Sequence, residues 1–177
     1  MILENLRAQP LPEVEPGYSI RTYRPGDDDG LVVLWAEIVG GDEAAIRKQW
    51  LELRREDPNV RDEDVFFVRY GDHLVGTGTA WKRASEPPDT GYVHMIGVDG
   101  AHRGKRLGFL VTVAVLNRLA ERGYKRALLN TDDHRLAALK LYLQMGFAPV
   151  IENEELRVRW SKVGHELRMK IPGLEDG

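Results

Sequence analysis

Hydrophobic positions recur along this chain with two different periods, which predict alternating strands and helices. Val65 to Tyr70 and His73 to Trp81 are strand-like runs, and the Gly71-Asp72 pair between them is typical of a tight antiparallel turn. Leu107 to Ala120 is apolar on most faces, which predicts a largely buried helix. The two patterns together predict a mixed α/β domain.

The remaining elements follow from the same periods and from turn residues at their ends. Further strands are predicted at Tyr18–Tyr23, Tyr92–Val98, Ala127–Leu129, Phe147–Val150 and Glu166–Ile171. Further helices are predicted over the apolar stripe Leu31, Leu34, Trp35 and Ile38, over the stripe Ile46, Trp50 and Leu53, over Arg135–Met145, and after Asn153. Residues 1–17 are proline-rich and predict an extended arm or loosely packed tail, residues 18–172 a single domain, and residues 173–177 a C-terminal tail.

Composition narrows the class of protein. The 177 residues are 42% hydrophobic and 30% charged, as in a soluble globular domain. The formal charge of −3 gives no reason to expect nucleic acid or an acidic membrane as the main partner. There is no cysteine, which excludes disulfides, cysteine-ligated metals and cysteine nucleophiles. The chain shows neither a signal-peptide pattern nor an apolar stretch of membrane-spanning length, so we expect a cytoplasmic protein.

The most informative segment runs from Val93 to Gly108, where a predicted strand leads into a basic loop that opens the apolar helix. Arg103, Lys105 and Arg106 supply positive charge, and Gly104 lets an anion approach the backbone closely. The first N–H groups of a helix are unsatisfied and lie at the positive end of its dipole. The segment therefore predicts a phosphate site, with an ordinary basic loop before a core helix as the alternative.

Two nucleotide-binding motifs fail in this segment. A P-loop requires Ser or Thr after Gly-Lys, but Arg106 follows Lys105. A dinucleotide fingerprint requires three spaced glycines, and only Gly104 and Gly108 are present. Both of these modes of nucleotide binding are therefore excluded.

A second informative segment is the predicted helix that ends at Gly146 and passes directly into Phe147. Tyr142 lies one turn before this end, four residues after Ala138. A core aromatic is the commonest role for such a tyrosine. The functional interpretation is a phenol that donates a proton to a leaving group.

Together these segments resemble the GNAT superfamily of acyl-CoA-dependent N-acyltransferases. The phosphate motif of that family has Gln or Arg, two variable residues, Gly, one variable residue, and then Gly or Ala. Arg103 and Gly108 fill the outer positions, and Arg106 stands where the family has its inner Gly. We expect Arg106 to adopt helical dihedral angles with its side chain swung outward, which adds a salt-sensitive contact instead of blocking the site.

The later segment also matches a motif of the family. The spacing of Ala138, Tyr142 and Gly146-Phe147 agrees with it, although Arg135 replaces the Asn that often starts this helix. The resemblance implies a GNAT-like fold, in which a mixed, mostly antiparallel central sheet is flanked by helices and a splayed strand pair forms the acyl-CoA cleft. It also implies acetyl transfer from acetyl-CoA to a primary amine of a small molecule or peptide by direct attack, without a metal.

The resemblance further implies which residues act. The strand before the loop would bind the pantetheine arm and the loop amides would hold the pyrophosphate, which assigns cofactor binding to Met95, Ile96, Gly97, Val98, Arg103, Gly104, Lys105, Arg106, Leu107 and Gly108. Tyr142 would protonate the departing thiolate, and replacing Gly104 with Val should crowd the phosphates.

The acceptor amine must arrive neutral, so a base or a water relay is needed. His94 has a suitable intrinsic pKa and is the second catalytic candidate, with a histidine satisfied in the core or on an outer face as the alternative. By strict alternation His94 shares a face with Ile96 and Val98, unless a bulge breaks the parity. Tyr92 is a weaker candidate. The other histidines are predicted on the surface; they are His73, His102, His134 and His165. No cluster of histidines and carboxylates has convincing metal-ligand spacing.

The sequence alone does not identify the acceptor amine. The resemblance implies an acceptor pocket formed by Leu31–Arg55 and Lys82–Thr90. Trp35, Trp50 and Trp81 could hold an amine there through cation–π contacts, although core packing is the more common role. The leading hypothesis is an acetyl-CoA-dependent N-acetyltransferase. A non-catalytic acyl-CoA-binding or sensor module is the alternative, a nucleic-acid-binding protein is weaker still, and a homodimer is an assembly to be tested.

Overall fold

Six strands form one sheet in the order β1-β6-β5-β4-β3-β2 in the computed structural model, which describes residues 1–57 and 59–174. Neighbouring strands are antiparallel except β5 and β6, which run parallel. The strands are β1 (Ile2–Leu3), β2 (Tyr18–Thr22), β3 (Val65–Tyr70), β4 (His73–Trp81), β5 (Thr90–Val98) and β6 (Arg126–Leu128). The predicted mixed, mostly antiparallel sheet is confirmed.

Helices cover both faces of the sheet. In the described residues they are α1 (Asp28–Val39), α2 (Glu43–Glu56), α3 (Leu107–Glu121), α4 (Leu136–Gln144) and α5 (Glu154–Leu167). Two of them begin at side-chain caps, because the carboxylate of Asp42 accepts a hydrogen bond from the N–H of Ala45 and the amide oxygen of Asn153 accepts one from the N–H of Leu156. The cap at Asn153 agrees with the helix start predicted from the sequence.

The hydrophobic core has a layer on each side of the sheet, and alternate residues of β3 show how it is divided. Phe67 packs with Leu31 and Trp50, which belong to α1 and α2. Val68 packs with Val111 of α3 on the opposite face. Every one of these side chains is nearly or fully buried. The period-2 pattern of the strand therefore fixes which helices lie on which face.

The β3–β4 hairpin has the predicted bounds. Gly71 in its turn has φ +56°, a left-handed conformation that glycine adopts at little cost. The Gly71-Asp72 pair was thus sufficient to place this hairpin.

The first residues of the predicted arm join the sheet instead of forming a loosely packed tail. Ile2 and Leu3 pair with Leu128 and Ala127 of β6, and Leu6 is buried in the core. The boundaries drawn at residues 17 and 172 stay predictions, and residues 175–177 of the predicted C-terminal tail lie outside the described residues.

Two predicted strands are wrong. Over Phe147–Val150 the structure has only an isolated bridge between Ile2 and Ala148, because β1 is too short to extend a ladder. The predicted strand at Glu166–Ile171 is instead the end of α5 and the turn after it. Arg168 adopts a left-handed conformation there, and Ile171 folds back against Gly164. Alternation over six residues did not outweigh the helix, which continues through Gly164 to Leu167.

None of the helices in the described ranges is both long enough and apolar enough to cross a membrane.

Candidate active site

The parallel strands β5 and β6 separate soon after they meet. Their pairing covers only Thr90, Gly91 and Tyr92 on β5, opposite Arg126 to Leu128. β5 continues to Val98, whereas β6 ends at Leu128. This divergence is the splayed strand pair that the sequence resemblance implied, and it leaves backbone of β5 without a neighbouring strand on that side.

A cleft of about 990 Å³ lies next to the splayed end of β5. Its walls are the end of β5, the loop that follows, the first turn of α3 and one face of α4. The residues proposed for binding that line it are Ile96, Gly97, Val98, Arg103, Gly104, Arg106, Leu107 and Gly108, and Tyr142 lines the opposite side. The two motif segments, which end and begin 30 positions apart at Gly108 and Ala138, therefore face each other across one cavity.

The charged side chains among the residues that line this cleft are all basic. They are Arg103, Arg106, Arg135 and Lys140. The chain as a whole carries a formal charge of −3, so this concentration of positive charge is local. A cleft lined in this way favours a ligand with several negative charges.

Arg106 adopts a left-handed conformation, with φ 58° and ψ 16°, at the position just before α3 begins. The expectation of helical dihedral angles is therefore wrong. This is the position where the GNAT phosphate motif has its inner Gly, and the backbone keeps the geometry that glycine favours although the residue is Arg. The side chain lies over the ring of Phe109, with its guanidinium carbon 5.3 Å from the ring centroid.

Gly104 also has a positive φ, of 80°, and an added Cβ would meet nothing within 4 Å. A valine at this position would therefore be strained by its backbone before any ligand bound. Gly108 lies in the first turn of α3, and an added Cβ would lie 3.7 Å from Leu141 and 4.0 Å from Val98, both of which line the cleft. A methyl group there narrows the cleft at ordinary contact distances.

Two residues of the predicted binding set do not line the cleft. Lys105 turns away from it, with its Nζ 3.2 Å from the carboxylate of Glu15. Met95 lies in the bulge of β5 with φ 54°. The assignment of both residues to cofactor binding stays a prediction.

A bulge at Met95 reverses the parity of β5. Thr77 pairs with Gly97 whereas Thr79 pairs with His94, so β5 has one extra residue between them, and Met95 has φ 54°. Before the bulge, Val93 packs in the core with residues of α3. After it, Ile96 packs on that side. His94 therefore lies on the opposite face from Ile96 and Val98, and the prediction from strict alternation is wrong.

His94 is enclosed by aromatic rings. Its ring centroid lies 4.9 Å from that of Trp81 and 6.0 Å from that of Tyr92. Burial, and secondarily the positive charge of Arg83, lower the pKa of His94 from 6.5 to about 4. The imidazole is thus neutral at pH 7, but it holds an added proton poorly.

Tyr142 belongs to both the core and the cleft. Its ring lies edge-on to Phe147 in the core, with centroids 5.9 Å apart, and the residue also lines the cavity. Burial raises the pKa of the Tyr142 phenol to about 12, and the positive charge of Arg135 opposes that rise. The phenol is therefore protonated at neutral pH, as a proton donor must be.

Sequence reasoning did not assign two histidines to the cleft. His102 and His134 were predicted on the surface; His134 is exposed and His102 partly buried, and both line the cavity. The Nδ1 of His102 lies 2.8 Å from the hydroxyl of Tyr18, which holds the ring beside Arg103. The position of His102 next to the predicted phosphate loop was the one signal that could have found it.

The tryptophans of the implied acceptor pocket have different roles. Trp50 is buried in the core, where its indole N–H donates to Asp28. Trp35 lies over the end of β5, because an added Cβ on Gly97 would come within 2.9 Å of its ring. Trp81 donates to the carboxylate of Asp57 at 2.6 Å and presents its ring to His94. Only Trp35 and Trp81 therefore lie beside the strand that leads to the cleft.

Solved structures with this fold support the architecture. A GCN5-related N-acetyltransferase from Sphaerobacter thermophilus superimposes with a TM-score of 0.66 at 22% identity, over 82% of this chain and 45% of that one. The ribosomal-protein-S18-alanine N-acetyltransferase from Escherichia coli gives 0.60 at 15% identity, over 75% and 79% respectively. At such identities the likeness extends to the fold alone.

Sequence comparisons identify the family. Mycothiol acetyltransferase from Nocardia farcinica is 32% identical over 164 residues, which cover 82% of this chain and 50% of that protein. The enzyme of the same name from Thermomonospora curvata is 30% identical over 150 residues, 80% of this chain and 48% of that protein. This chain thus spans about half the length of the curated relatives it matches. The family model for GNAT acetyltransferases matches residues 34–147, and the chain belongs to the acetyltransferase (GNAT) family.

Proposed function

We propose that this chain transfers an acetyl group from acetyl-CoA to an amine by direct attack of the amine on the thioester. The observation that carries the proposal is the cleft itself. One wall has the basic loop and the start of α3, the opposite wall has the phenol of Tyr142, and every charged side chain lining it is basic. This arrangement offers an anion site and a proton donor to the same bound molecule.

The residues of the cleft fit the phosphates of CoA. The first turn of α3 supplies unpaired N–H groups at the positive end of a 15-residue helix. Gly104 and Gly108 keep side-chain atoms away from this approach. Arg103 and Arg106 add guanidinium groups, which bind phosphate oxygens in a bidentate manner. The exposed backbone of β5 from Met95 to Val98 is proposed to bind the pantetheine arm.

Tyr142 is proposed to donate its proton to the departing thiolate. When the amine nitrogen bonds to the carbonyl carbon and the carbon–sulfur bond breaks, the electron pair goes to sulfur and needs a proton. The phenol of Tyr142 is protonated and partly desolvated, which suits it to this step. After the transfer, the proton lost by the amine nitrogen restores the phenol through solvent.

His94 is a poor base in this structure. Its lowered pKa, of about 4, means that it gives up a proton more readily than an amine does. We therefore propose that the acceptor reaches the site as a neutral amine, or loses its proton to water. His94 then acts by excluding water and packing beside the acceptor.

We propose a small-molecule amine as the acceptor, because the relatives are named for a small molecule, mycothiol. A peptide amine remains the second acceptor class to be tested. The proposed reaction needs no metal and no nucleic acid. A homodimer and a cytoplasmic location stay predictions from the sequence.

The test is turnover of acetyl-CoA with a panel of small amines and peptides, measured as released thiol. Amine-dependent thiol release supports the proposal. Tight CoA binding by calorimetry without turnover for any amine would instead support the non-catalytic acyl-CoA-binding module.

Calorimetry on a Gly108→Val variant tests the location of the CoA site. The GNAT motif allows Gly or Ala at this position, and valine forms helix no less readily than glycine, so the variant should fold. Its branched side chain extends beyond a Cβ that would already lie 3.7 Å from Leu141, so it should fill the cleft and weaken CoA binding at least about tenfold. Gly100→Val is the matched control, because an added Cβ there meets nothing within 4 Å and Gly100 does not line the cleft. Equal CoA affinities for both variants would place the phosphates elsewhere.

A further inference from the structure

Arg83 lies on the aromatic cluster at the beginning of β5. Its guanidinium carbon is 4.5 Å from the ring centroid of Tyr92 and 5.9 Å from that of Trp81. His94 lies against the same two rings. The side chain of Arg83 is 35% exposed, so solvent and small molecules reach it. A fixed positive charge therefore stands on the same face of β5 as His94.

Arg83 forms a long ion pair with Glu86, but its guanidinium N–H groups have no hydrogen-bond partner among the described residues. Among the described residues, its guanidinium makes no hydrogen bond, and the carboxylate of Glu86 is 3.9 Å from its Nη1, beyond hydrogen-bond distance. Several other arginines in the described ranges have carboxylate partners at 2.6 to 3.2 Å, as in the pairs of Arg21 with Asp27 and of Arg118 with Glu63. The stacked guanidinium of Arg83 thus has free N–H groups along its edge.

The loop that carries Arg83 is held in place. The ammonium group of the neighbouring Lys82 donates to the carbonyl oxygens of Glu86, Pro87 and Thr90 at 2.8, 2.6 and 3.1 Å. These three bonds close the loop between β4 and β5. Arg83 is therefore presented by a fixed backbone and a fixed stack of rings, which lowers the entropic cost of binding a ligand.

The cation–π contacts of this cluster are already occupied. Arg83 covers the ring of Tyr92, and its charge repels any ammonium group that approaches Trp81 or His94. The expectation that these aromatics would hold the acceptor amine as a cation therefore does not fit the structure. What fits beside Arg83 is an anion.

We propose that Arg83 binds a carboxylate of the acceptor, so that the chain acetylates amines that carry a carboxylate near the amine nitrogen. A carboxylate matches the two parallel N–H groups on the edge of a guanidinium. Tyr92, which carries the Arg83 guanidinium on its ring, is the last residue of β5 that pairs with β6, so Arg83 lies where the two strands begin to separate toward the cleft. The inference rests on the proposed acetyl transfer and names the class of its acceptor.

The test compares acceptors in matched pairs: alanine with alaninamide, β-alanine with β-alaninamide, and glycylglycine with glycylglycinamide. Thiol release gives kcat/KM for each member. The carboxamides have the lower amine pKa and hence more neutral amine, so chemistry alone favours them. A carboxylate member that is preferred by about 10-fold to 100-fold in at least one pair supports the proposal, this being the range for a charge-assisted hydrogen bond.

Variants assign the preference to Arg83. Arg83→Gln should abolish it, mainly through a higher KM for the carboxylate member, and Arg83→Lys should retain part of it. Glu86→Gln should increase the preference, because it removes the nearest competing carboxylate. The melting temperature of each variant checks that the loop remains folded.

Three results overturn the proposal: carboxamides that react equally or better in every pair, turnover confined to amines without a carboxylate, or a carboxylate preference that survives in Arg83→Gln. These results all require turnover. The absence of thiol release with every amine is a different result, which overturns the proposed acetyl transfer and this inference with it.

Discussion

His94 and Gly97 face the same side of the sheet although three positions separate them along β5. The left-handed Met95 between them accounts for this, because it adds a residue to the strand and reverses the alternation. Because Gly97 has no side chain, Trp35 and Ile38 of α1 pack closely against it. The bulge thus brings the aromatic cluster around His94 and the end of β5 onto one surface next to the cleft.

We expect His94 to make the protein less stable in acid. The folded pKa of His94, about 4, is below its ordinary value of 6.5, so the unfolded chain binds the proton more tightly. Its destabilising effect is absent at neutral pH, begins as the pH falls below 6.5, and is complete below about 4. At about pH 4.5 it amounts to about 2–3 kcal/mol.

His94→Phe is the variant that isolates this effect, because the ring still packs against Trp81 but does not titrate. Urea denaturation near pH 7 and near pH 4.5 should show that the variant loses about 2 kcal/mol less stability on acidification than the parent protein. Equal losses would mean that the imidazole is protonated in the folded state.

Substitutions of Arg106 should separate backbone strain from charge. A left-handed non-glycine residue costs about 1–2 kcal/mol, so Arg106→Gly should raise the free energy of unfolding by about 1 kcal/mol, whereas Arg106→Ala should leave it nearly unchanged. Both variants remove the guanidinium, so both should weaken CoA binding by about 1–3 kcal/mol, with a smaller salt dependence. Tighter CoA binding by either variant in calorimetry would mean that Arg106 obstructs the cleft.

Local patterns were sufficient where a short segment determines its own structure. The β3–β4 hairpin follows from two strand-like runs around Gly71-Asp72, and the start of α3 from the basic loop that precedes it. The strand predicted at Glu166–Ile171 was wrong because the alternation of these residues fits a strand and a helix end equally well. Neighbouring residues cannot decide between them, but the backbone turn at Arg168 does.

Prediction of the site from neighbouring residues is limited in the same way. The sequence indicated which segments carry chemistry, but His102 enters the cleft because the hydroxyl of Tyr18, 84 positions earlier, meets its ring. The parity of His94 depends on one inserted residue that no periodicity reveals. Whether the N–H groups of the Arg83 guanidinium have hydrogen-bond partners depends on the positions of Tyr92 and Glu86. Long-range contacts determine these features, so a single sequence does not predict them.

The carboxylate of Asp64 should be among the most important polar groups for stability. It is fully buried, and it accepts hydrogen bonds from the guanidinium groups of Arg118 at 2.7 Å and Arg122 at 2.9 Å. Asp64→Asn removes the buried counter-charge of Arg122, while Arg118 keeps its pairs with Glu63 and Glu121, and this should cost about 3–5 kcal/mol in urea denaturation. Asp72→Asn is the control, because Asp72 is fully exposed where it pairs with Arg69, so its replacement should leave the stability nearly unchanged.

Tyr142→Phe should reduce turnover and leave the fold intact. The ring packs against Phe147 and stays in place, while loss of the hydroxyl removes the proposed proton donor. General acid catalysis contributes about 10²–10⁴-fold, so kcat should fall within that range, whereas CoA affinity and melting temperature should remain near the parent values. Tyr124→Phe, which changes a phenol outside the cleft lining, is the control and should keep full kcat. If Tyr142 is only a core aromatic, Tyr142→Phe will also keep the parent kcat. A single-turnover measurement establishes that the chemical step limits the rate, so that an unchanged kcat removes Tyr142 from the mechanism.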